Sequence, residues 1–319
     1  MNFYPIIVVG GGVSGSAAAM YAARFNLKTL VFAEQPGGLI TTTHLVENYP
    51  GIKSISGPKM GMVFMEHAKE TGAEFKYEKI ISAEKVVLET ENEFKGMNGF
   101  KVSTKSSEFF CVTLVLATGT EHKHLGIDGE EEFKNKGVSY CALCDANFFK
   151  EKTVCVVGGG DTAAIDANIL AQQCKKVYVM VRKDFMRAEP VNQKRIEDNP
   201  RIEILYNSEL ESIHGDDSVT SVKLKDGSKM PIDGVFVAIG WNTKSELASQ
   251  LDVKLNARNE IIINREAETN IPGLYAAGDV TDAHFKQAII GASEGVYASV
   301  QAFNFIQSLL SKESVPSEY

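Results

Sequence analysis

One short pattern occurs twice in this chain and dictates most of what it can fold into: an apolar strand that runs into closely spaced glycines and then into an alanine-containing helix. Pro5-Ile6-Ile7-Val8-Val9 leads into Gly10-Gly11-Gly12-Val13-Ser14-Gly15, and Thr153 to Val157 leads into Gly158-Gly159-Gly160-Asp161-Thr162-Ala163. Short Val- and Ile-rich runs that end in a glycine turn fit parallel strands buried on both faces. The glycines let the backbone bend tightly and approach a pyrophosphate, and the following helix N-terminus stabilises its charge. Gly10, Gly12, Ser14 and Gly15 are therefore candidates to hold one dinucleotide, and Gly158, Gly160, Asp161, Thr162 and Ala163 a second.

The strand after each turn distinguishes the two. Thr29 to Phe32 ends in Glu34, placed to accept from a ribose hydroxyl. Val177 to Val181 ends instead in Arg182-Lys183, with Arg187 a helical turn further on. Cations there favour a 2′-phosphate, so the second unit is expected to prefer NADPH to NADH.

Further buried strands end in glycine at Thr113 to Gly119 and at Gly234 to Gly240, so that Thr118, Gly119 and Gly240 fall at strand exits. Gly273 to Asp279 runs into Gly278-Asp279, where Asp279 suits flavin or ribitol recognition, and Lys286-Gln287-Ala288 opens a helix reaching about Leu310. Ser56 to Thr71 reads as an amphipathic helix with Met60, Val63, Phe64 and His67 at helical spacing. Antiparallel meanders are expected between Ala73 and Leu116, laid on the parallel sheet, and around the Asp226-Gly227 hairpin signal. The expected fold is α/β, with two Rossmann-like three-layer dinucleotide-binding domains, the second inserted in the first. Residues 1–118 and 246–319 form the outer domain and residues 119–245 the inner one, Lys123 to Gly129 and Trp241 to Ser245 serving as linkers.

Chemistry enters at Tyr140-Cys141-Ala142-Leu143-Cys144-Asp145. Two thiols at this spacing can close and reopen a small disulfide ring, and a carboxylate directly after them can move the proton of each cycle. The same spacing is also half of a zinc site, which needs two more ligands close by. Cys111, Cys155 and Cys174 are single and scattered, and the nearest histidines, His122 and His124, lie well upstream. With 33 Lys and Arg against 41 Asp and Glu, the net charge of −8 argues against nucleic acid as partner. No apolar run approaches a membrane span and the first strand begins within a few residues of Met1, so a cytoplasmic, reducing compartment is expected. Five cysteines there form no structural framework.

Taken together, Gly10-x-Gly12-x-x-Gly15, Gly37-Gly38, Glu47-Asn48-Tyr49-Pro50-Gly51, Ala117-Thr118-Gly119, Cys141-x-x-Cys144-Asp145, Gly158-x-Gly160-x-x-Ala163, Arg182-Lys183 with Arg187, and Gly278-Asp279 with Gln287-Ala288 resemble the low-molecular-weight thioredoxin reductases, archaeal-like members of the two-dinucleotide-domain FAD and NAD(P) disulfide oxidoreductases. The resemblance covers nearly the whole chain. It implies FAD in the outer domain, contacted also by Gly37, Gly38, Leu39, Ile40, Asn48, Thr118, Gly119, Gly278, Asp279, Lys286, Gln287 and Ala288, and NADPH in the inner one, contacted also by Gly240. It further implies Cys144 against the flavin, Cys141 as attacker of a thioredoxin disulfide, Asp145 as acid/base, a homodimer through the FAD domains, and rotation of the inner domain between two states. Relatives with their redox pair just after the first turn are disfavoured, since no cysteine precedes Cys111. The chain departs from the family pattern at Leu39 for Gln, Ala146 for Gly, Lys286 for Arg, and Val181-Arg182-Lys183 for His-Arg-Arg; Lys183 lacks the planar fork of Arg. Two other readings stand beside it: a flavin-dependent dithiol oxidoreductase using NADH, ferredoxin or oxygen, and a flavin-binding redox sensor without turnover.

Overall fold

The computed structural model describes residues 2–43 and 46–311, and within them the side chains of Leu143 and Cys144 lie outside the description. The chain divides into two compact units, an outer one of Met1–Thr120 with Thr243–Tyr319 and an inserted one of Glu121–Asn242.

In the outer unit the strands run in the order Glu74–Lys76, Thr29–Phe32, Phe3–Val9, Glu108–Leu116, Asn98–Ser103, Ser82–Val87, and Leu274–Ala276 also pairs with Glu108–Leu116. Val8 lies opposite Val31 on one side and Val115 on the other, both in parallel register. Ile6, Ile7 and Val8 are fully buried, and each contributes on the order of 2 kcal/mol through removal of its side chain from water. This is why a continuous apolar run, without alternation, suffices to mark the central strand.

Along the edge away from Phe3–Val9, Glu108–Leu116 serves two partners. Its first half is antiparallel to Asn98–Ser103, with Phe109 opposite Val102, and its second half is parallel to Leu274–Ala276, with Leu114 opposite Leu274. The meander expected to lie on the parallel sheet is instead a continuation of it, because this nine-residue strand is long enough to pair twice. The helices Val13–Arg24 and Ala288–Leu310 pack through small residues, among them Ala18, Ala298 and Ala302. Ser299 Oγ donates to Ala18 O at 2.6 Å, and a Cβ on Gly295 would stand 2.2 Å from Ser14 O, so only glycine permits this approach. Helix Gly57–Glu70 starts where Ser56 accepts from Lys59 N. It buries Met60, Gly61, Met65 and Ala68, while Val63 and His67 are exposed. Of the expected stripe, Met60 is buried and Phe64 half-buried, while the burial expected at Val63 and His67 falls instead on Met65 and Ala68.

The inserted unit has an all-parallel sheet in the order Ile202–Tyr206, Lys176–Val181, Thr153–Val157, Gly234–Val237, Val138–Ser139. Its core gathers Val154, Val156, Ala163, Ala167, Leu170 and Phe236. A separate antiparallel sheet of Leu210–Gly215, Val219–Leu224 and Lys229–Pro231 turns at Asp226-Gly227, with Gly227 at φ +90°. Thr120–His122 and Trp241–Thr243, where the chain leaves and re-enters the outer unit, pair as a two-stranded sheet, so the linker expected at Trp241 to Ser245 is partly strand. Val138–Ser139, the edge strand, delivers the chain directly into Tyr140-Cys141, so the redox stretch sits at the carboxyl end of a parallel strand, where such sheets place their sites.

Candidate active site

The outer glycine turn has no room for a side chain at Gly10 or Gly15. A Cβ on Gly10, at φ +121°, would stand 2.0 Å from Ala117 O, and one on Gly15 would stand 1.8 Å from Gly10 O. Gly12 opens helix Val13–Arg24 with no side-chain cap and no acid in the first turn. Around that helix end other segments close in: a Cβ on Gly38 would meet Gly12 Cα at 2.5 Å, and one on Gly278 would meet Ser14 Oγ at 2.3 Å. Leu39 and Ile40 follow on a 3-10 turn, which Thr41 Oγ1 fastens by donating to Gly38 O at 2.7 Å. Glu34 is exposed at the end of its strand and pairs with Lys79 at 3.3 Å. Free N–H groups walled by glycines, with a carboxylate at the next strand end, fit a dinucleotide pyrophosphate and ribose.

Lys286 locks the Gly278–Asp279 turn. Its ammonium donates to Asp279 O at 2.8 Å and Thr281 O at 2.9 Å, and pairs with Glu260 at 2.7 Å, which uses all three of its hydrogens inside the outer unit. Glu294 accepts from Gly278 N at 2.6 Å, and burial pushes its carboxyl up. Burial also raises Asp279, with Lys286 opposing. Asn48 Nδ2 donates to Gln287 Oε1 at 2.8 Å, tying the Asn48 loop to the start of the last helix, and Ala288 packs with Val13 and Ala292. Thr118 Oγ1 donates to Lys244 O at 2.6 Å, with Gly119 left-handed at φ +68°. A small cleft here is lined by Asp279, Phe285, Lys286, Gln287, Ile290 and Glu294.

The inner turn repeats the plan with different surroundings. A Cβ on Gly158 would stand 2.2 Å from Ala238 O, whereas one on Gly160, at the start of helix Asp161–Ala171, would meet open space. Thr162 is half-buried in the first turn and Ala163 is buried beneath it. Arg182, Lys183 and Arg187 are all exposed, with the Lys183 ammonium 5.1 Å from the centroid of the Phe185 ring. Gly240 is left-handed at φ +103°. An uncapped helix end and three solvent-facing cations fit a nucleotide carrying an extra phosphate.

Cys141 is disulfide-bonded, and the helical turn Ala142–Asp145 follows it. The side chain of Cys144 lies outside the described residues. Ser139, buried on the edge strand, donates from Oγ to Asp145 Oδ2 at 2.6 Å and accepts from Cys141 N at 3.1 Å. One hydroxyl therefore fixes both the carboxylate and the cysteine backbone. On the next residue, Tyr140 OH donates to Glu130 Oε1 at 2.7 Å, so His124 Nδ1, 2.8 Å away, is the donor to the Tyr140 oxygen. Glu130 is buried and accepts also from Leu125 N at 2.8 Å and Gly126 N at 2.6 Å. Burial, then the Glu130 contact, raises the Tyr140 hydroxyl. The His122 ring lies 4.0 Å from that of Trp241, tilted by 40°, and burial together with His124 pushes its imidazole down to about 4. The two histidines thus hold aromatic rings, and among the described residues no group of three or more His, Cys, Asp or Glu could hold a metal ion. Cys111, Cys155 and Cys174 are free and buried, and burial raises all three thiols, Cys174 to about 11.

A family model described as pyridine nucleotide-disulphide oxidoreductase matches residues 4–295. The thioredoxin reductase of Listeria innocua is 37% identical over 324 residues, which cover 99% of this chain and 98% of that one. The chain belongs to this family, and within it to the thioredoxin reductases. Solved thioredoxin reductases superpose along nearly the full length. That of Lactococcus lactis does so with a TM-score of 0.88 at 33% identity, covering 96% of this chain and 99% of its own. That of T. acidophilum gives 0.86 at 32% identity, covering 95% and 98%. The chain is accordingly an oxidoreductase whose fold pairs two dinucleotide-binding units.

Two residues of this thioredoxin reductase site were not singled out from the sequence. Ser139 had no local signal beyond standing two residues before Cys141. Glu130 is the buried member of Glu130-Glu131-Glu132, a run that reads as a solvated face.

Proposed function

We propose that this chain reduces the disulfide of thioredoxin or a thioredoxin-like protein, drawing electrons from NADPH through FAD and the Cys141/Cys144 pair. The observation that carries this reading is the redox stretch itself: a disulfide-bonded Cys141 leaving a buried parallel strand, followed within one turn by an Asp145 carboxylate held by Ser139. FAD would lie on the outer turn, against Gly10, Gly12, Ser14, Gly15, Gly37 and Gly38, with Glu34 toward the ribose and Gly278-Asp279 toward the rest of the group. When bound, it supplies a two-electron relay that accepts hydride from a nicotinamide and passes the pair to a disulfide. NADPH would lie on Gly158, Gly160 and Thr162, with Arg182, Lys183 and Arg187 drawn to its 2′-phosphate.

Reduction of the Cys141–Cys144 disulfide takes two electrons and two protons and leaves a dithiol. The Cys141 thiolate attacks one sulfur of the substrate disulfide, and the displaced sulfur leaves as a thiolate that needs a proton. Cys144 then attacks Cys141 sulfur, which frees the second substrate thiol and restores the disulfide. Asp145 is the acid/base that exchanges these protons, and Ser139 holds its carboxylate beside Cys141. A homodimer through the outer unit and a cytoplasmic setting complete the proposal. Among the described residues no helix is long and apolar enough to cross a membrane. The direct test follows NADPH oxidation by its absorbance in the presence of a thioredoxin and catalytic enzyme. Thioredoxin-dependent oxidation supports the reading, and none with either NADPH or NADH overturns it.

A further inference from the structure

Arg187 stands on the segment between strand Lys176–Val181 and helix Pro190–Glu197. Its neighbours Met186 and Ala188 are both buried in the core of the inserted unit, which turns Arg187 outward between them. That segment is bonded back to the glycine turn at three points. Arg187 N donates to Gly159 O at 2.6 Å. Glu189 N donates to Asp161 Oδ1 at 2.7 Å. Asn192 Nδ2, from the buried face of the helix, donates to the same oxygen at 2.8 Å.

Asp161 is the first residue of helix Asp161–Ala171, beside the uncapped end suited to a pyrophosphate. A carboxylate there is a poor phosphate ligand, because it accepts hydrogen bonds and cannot donate them, and its charge repels an anion. Its two accepted bonds show another use. We propose that Asp161 and Asn192 are positioning residues for nucleotide selectivity: they fasten the Arg187 segment to the glycine turn, so that the guanidinium and the phosphate-binding backbone keep one fixed spacing. This rests on the reading of the inserted unit as the NADPH site. A nucleotide with a 2′-phosphate engages turn and guanidinium together, and an untethered segment would have to be ordered at the moment of binding, which weakens affinity. A nucleotide with a free 2′-hydroxyl engages only the turn and is indifferent to the tether.

The test is calorimetric binding of NADP+ and NAD+ to the oxidised holoenzyme, without turnover, in wild type and in Asn192→Ala, Asp161→Ala and Asp161→Asn. Asn192→Ala and Asp161→Ala are expected to weaken NADP+ by about tenfold and NAD+ by less than about twofold, the cost of one poorly positioned charge-assisted contact. Asp161→Asn keeps an acceptor oxygen and is expected to retain NADP+ binding within about twofold of wild type. Retained NAD+ binding shows each variant to be folded. Equal losses for both nucleotides, or no loss of NADP+ binding, overturn the proposal while leaving NADPH use standing. Wild type binding the two nucleotides equally overturns the NADPH reading, and the proposal with it.

Discussion

Gly15 and Ala163 occupy the same place in the two glycine turns, yet only the first has no room for a methyl group. In the outer turn a Cβ at Gly15 would stand 1.8 Å from Gly10 O; in the inner turn Gly158 has swung to φ +156°, against +121° at Gly10, and Ala163 is accommodated. The strand ends differ too. Glu34 closes one and pairs with Lys79, whereas Arg182 and Lys183 stand exposed at the other. A shared backbone device thus fixes where a dinucleotide can lie, and a few residues beside it decide which one is accepted. The inserted unit adds what the outer one lacks, a redox pair that begins two residues beyond its edge strand.

That division breaks most visibly at Cys141. Cys141→Ser should lower thioredoxin-linked turnover by at least about 10³-fold, as expected for loss of a nucleophile, while the protein stays yellow. A variant that is active within tenfold of wild type, judged by steady-state rates, would remove the dithiol from the pathway.

The turns themselves give a paired experiment. Gly15→Ala forces the Gly10 carbonyl aside and should cost about 2 kcal/mol or more, with loss of flavin on gel filtration. Ala163→Gly relieves nothing and should cost about 1 kcal/mol or less, the helix penalty for glycine. Similar melting shifts in both variants would show that the turns are not differently packed.

Ser139→Ala removes the hydroxyl that holds Asp145, and kcat should fall about tenfold with KM for thioredoxin unchanged, while Ser139→Thr recovers much of the rate. A matching rise in KM, or no rescue by Thr, would instead make Ser139 a packing residue.

The smallest effect concerns the paired crossing segments. His122 is held at about 4, below the ordinary imidazole value, so the unfolded chain takes up its proton first and stability falls as pH drops from about 6.5 toward 4. His122→Phe, which cannot take up that proton, should flatten this part of the stability curve in urea titrations. An unchanged slope would place the acid sensitivity elsewhere.

Much of this was legible from the chain because it is local. Strand, turn and helix follow one another within each nucleotide unit, so Gly10 to Gly15 and Gly158 to Ala163 announce themselves, as does the Cys141-x-x-Cys144-Asp145 spacing. Tethers between distant residues were not. Asp161 reads as a dinucleotide contact, with no sign in the sequence that Asn192, 31 positions away, donates to it. Lys286 reads as a flavin contact, with no sign in the sequence that Glu260 and two backbone carbonyls take the hydrogens of its ammonium. The long strand Glu108–Leu116 likewise hides its double pairing, because one apolar run gives no sign of how many partners each half will have.

The central claim, that the cationic inner turn feeds electrons through a flavin to Cys141 and Cys144, is tested most directly by anaerobic titration of the holoenzyme. NADPH, then NADH on a fresh sample, is added while the flavin band is followed, and oxidised thioredoxin is added last. The account predicts bleaching by NADPH at far lower concentration than by NADH, and return of the oxidised band when thioredoxin is added. Bleaching by dithionite but by neither nucleotide would contradict it.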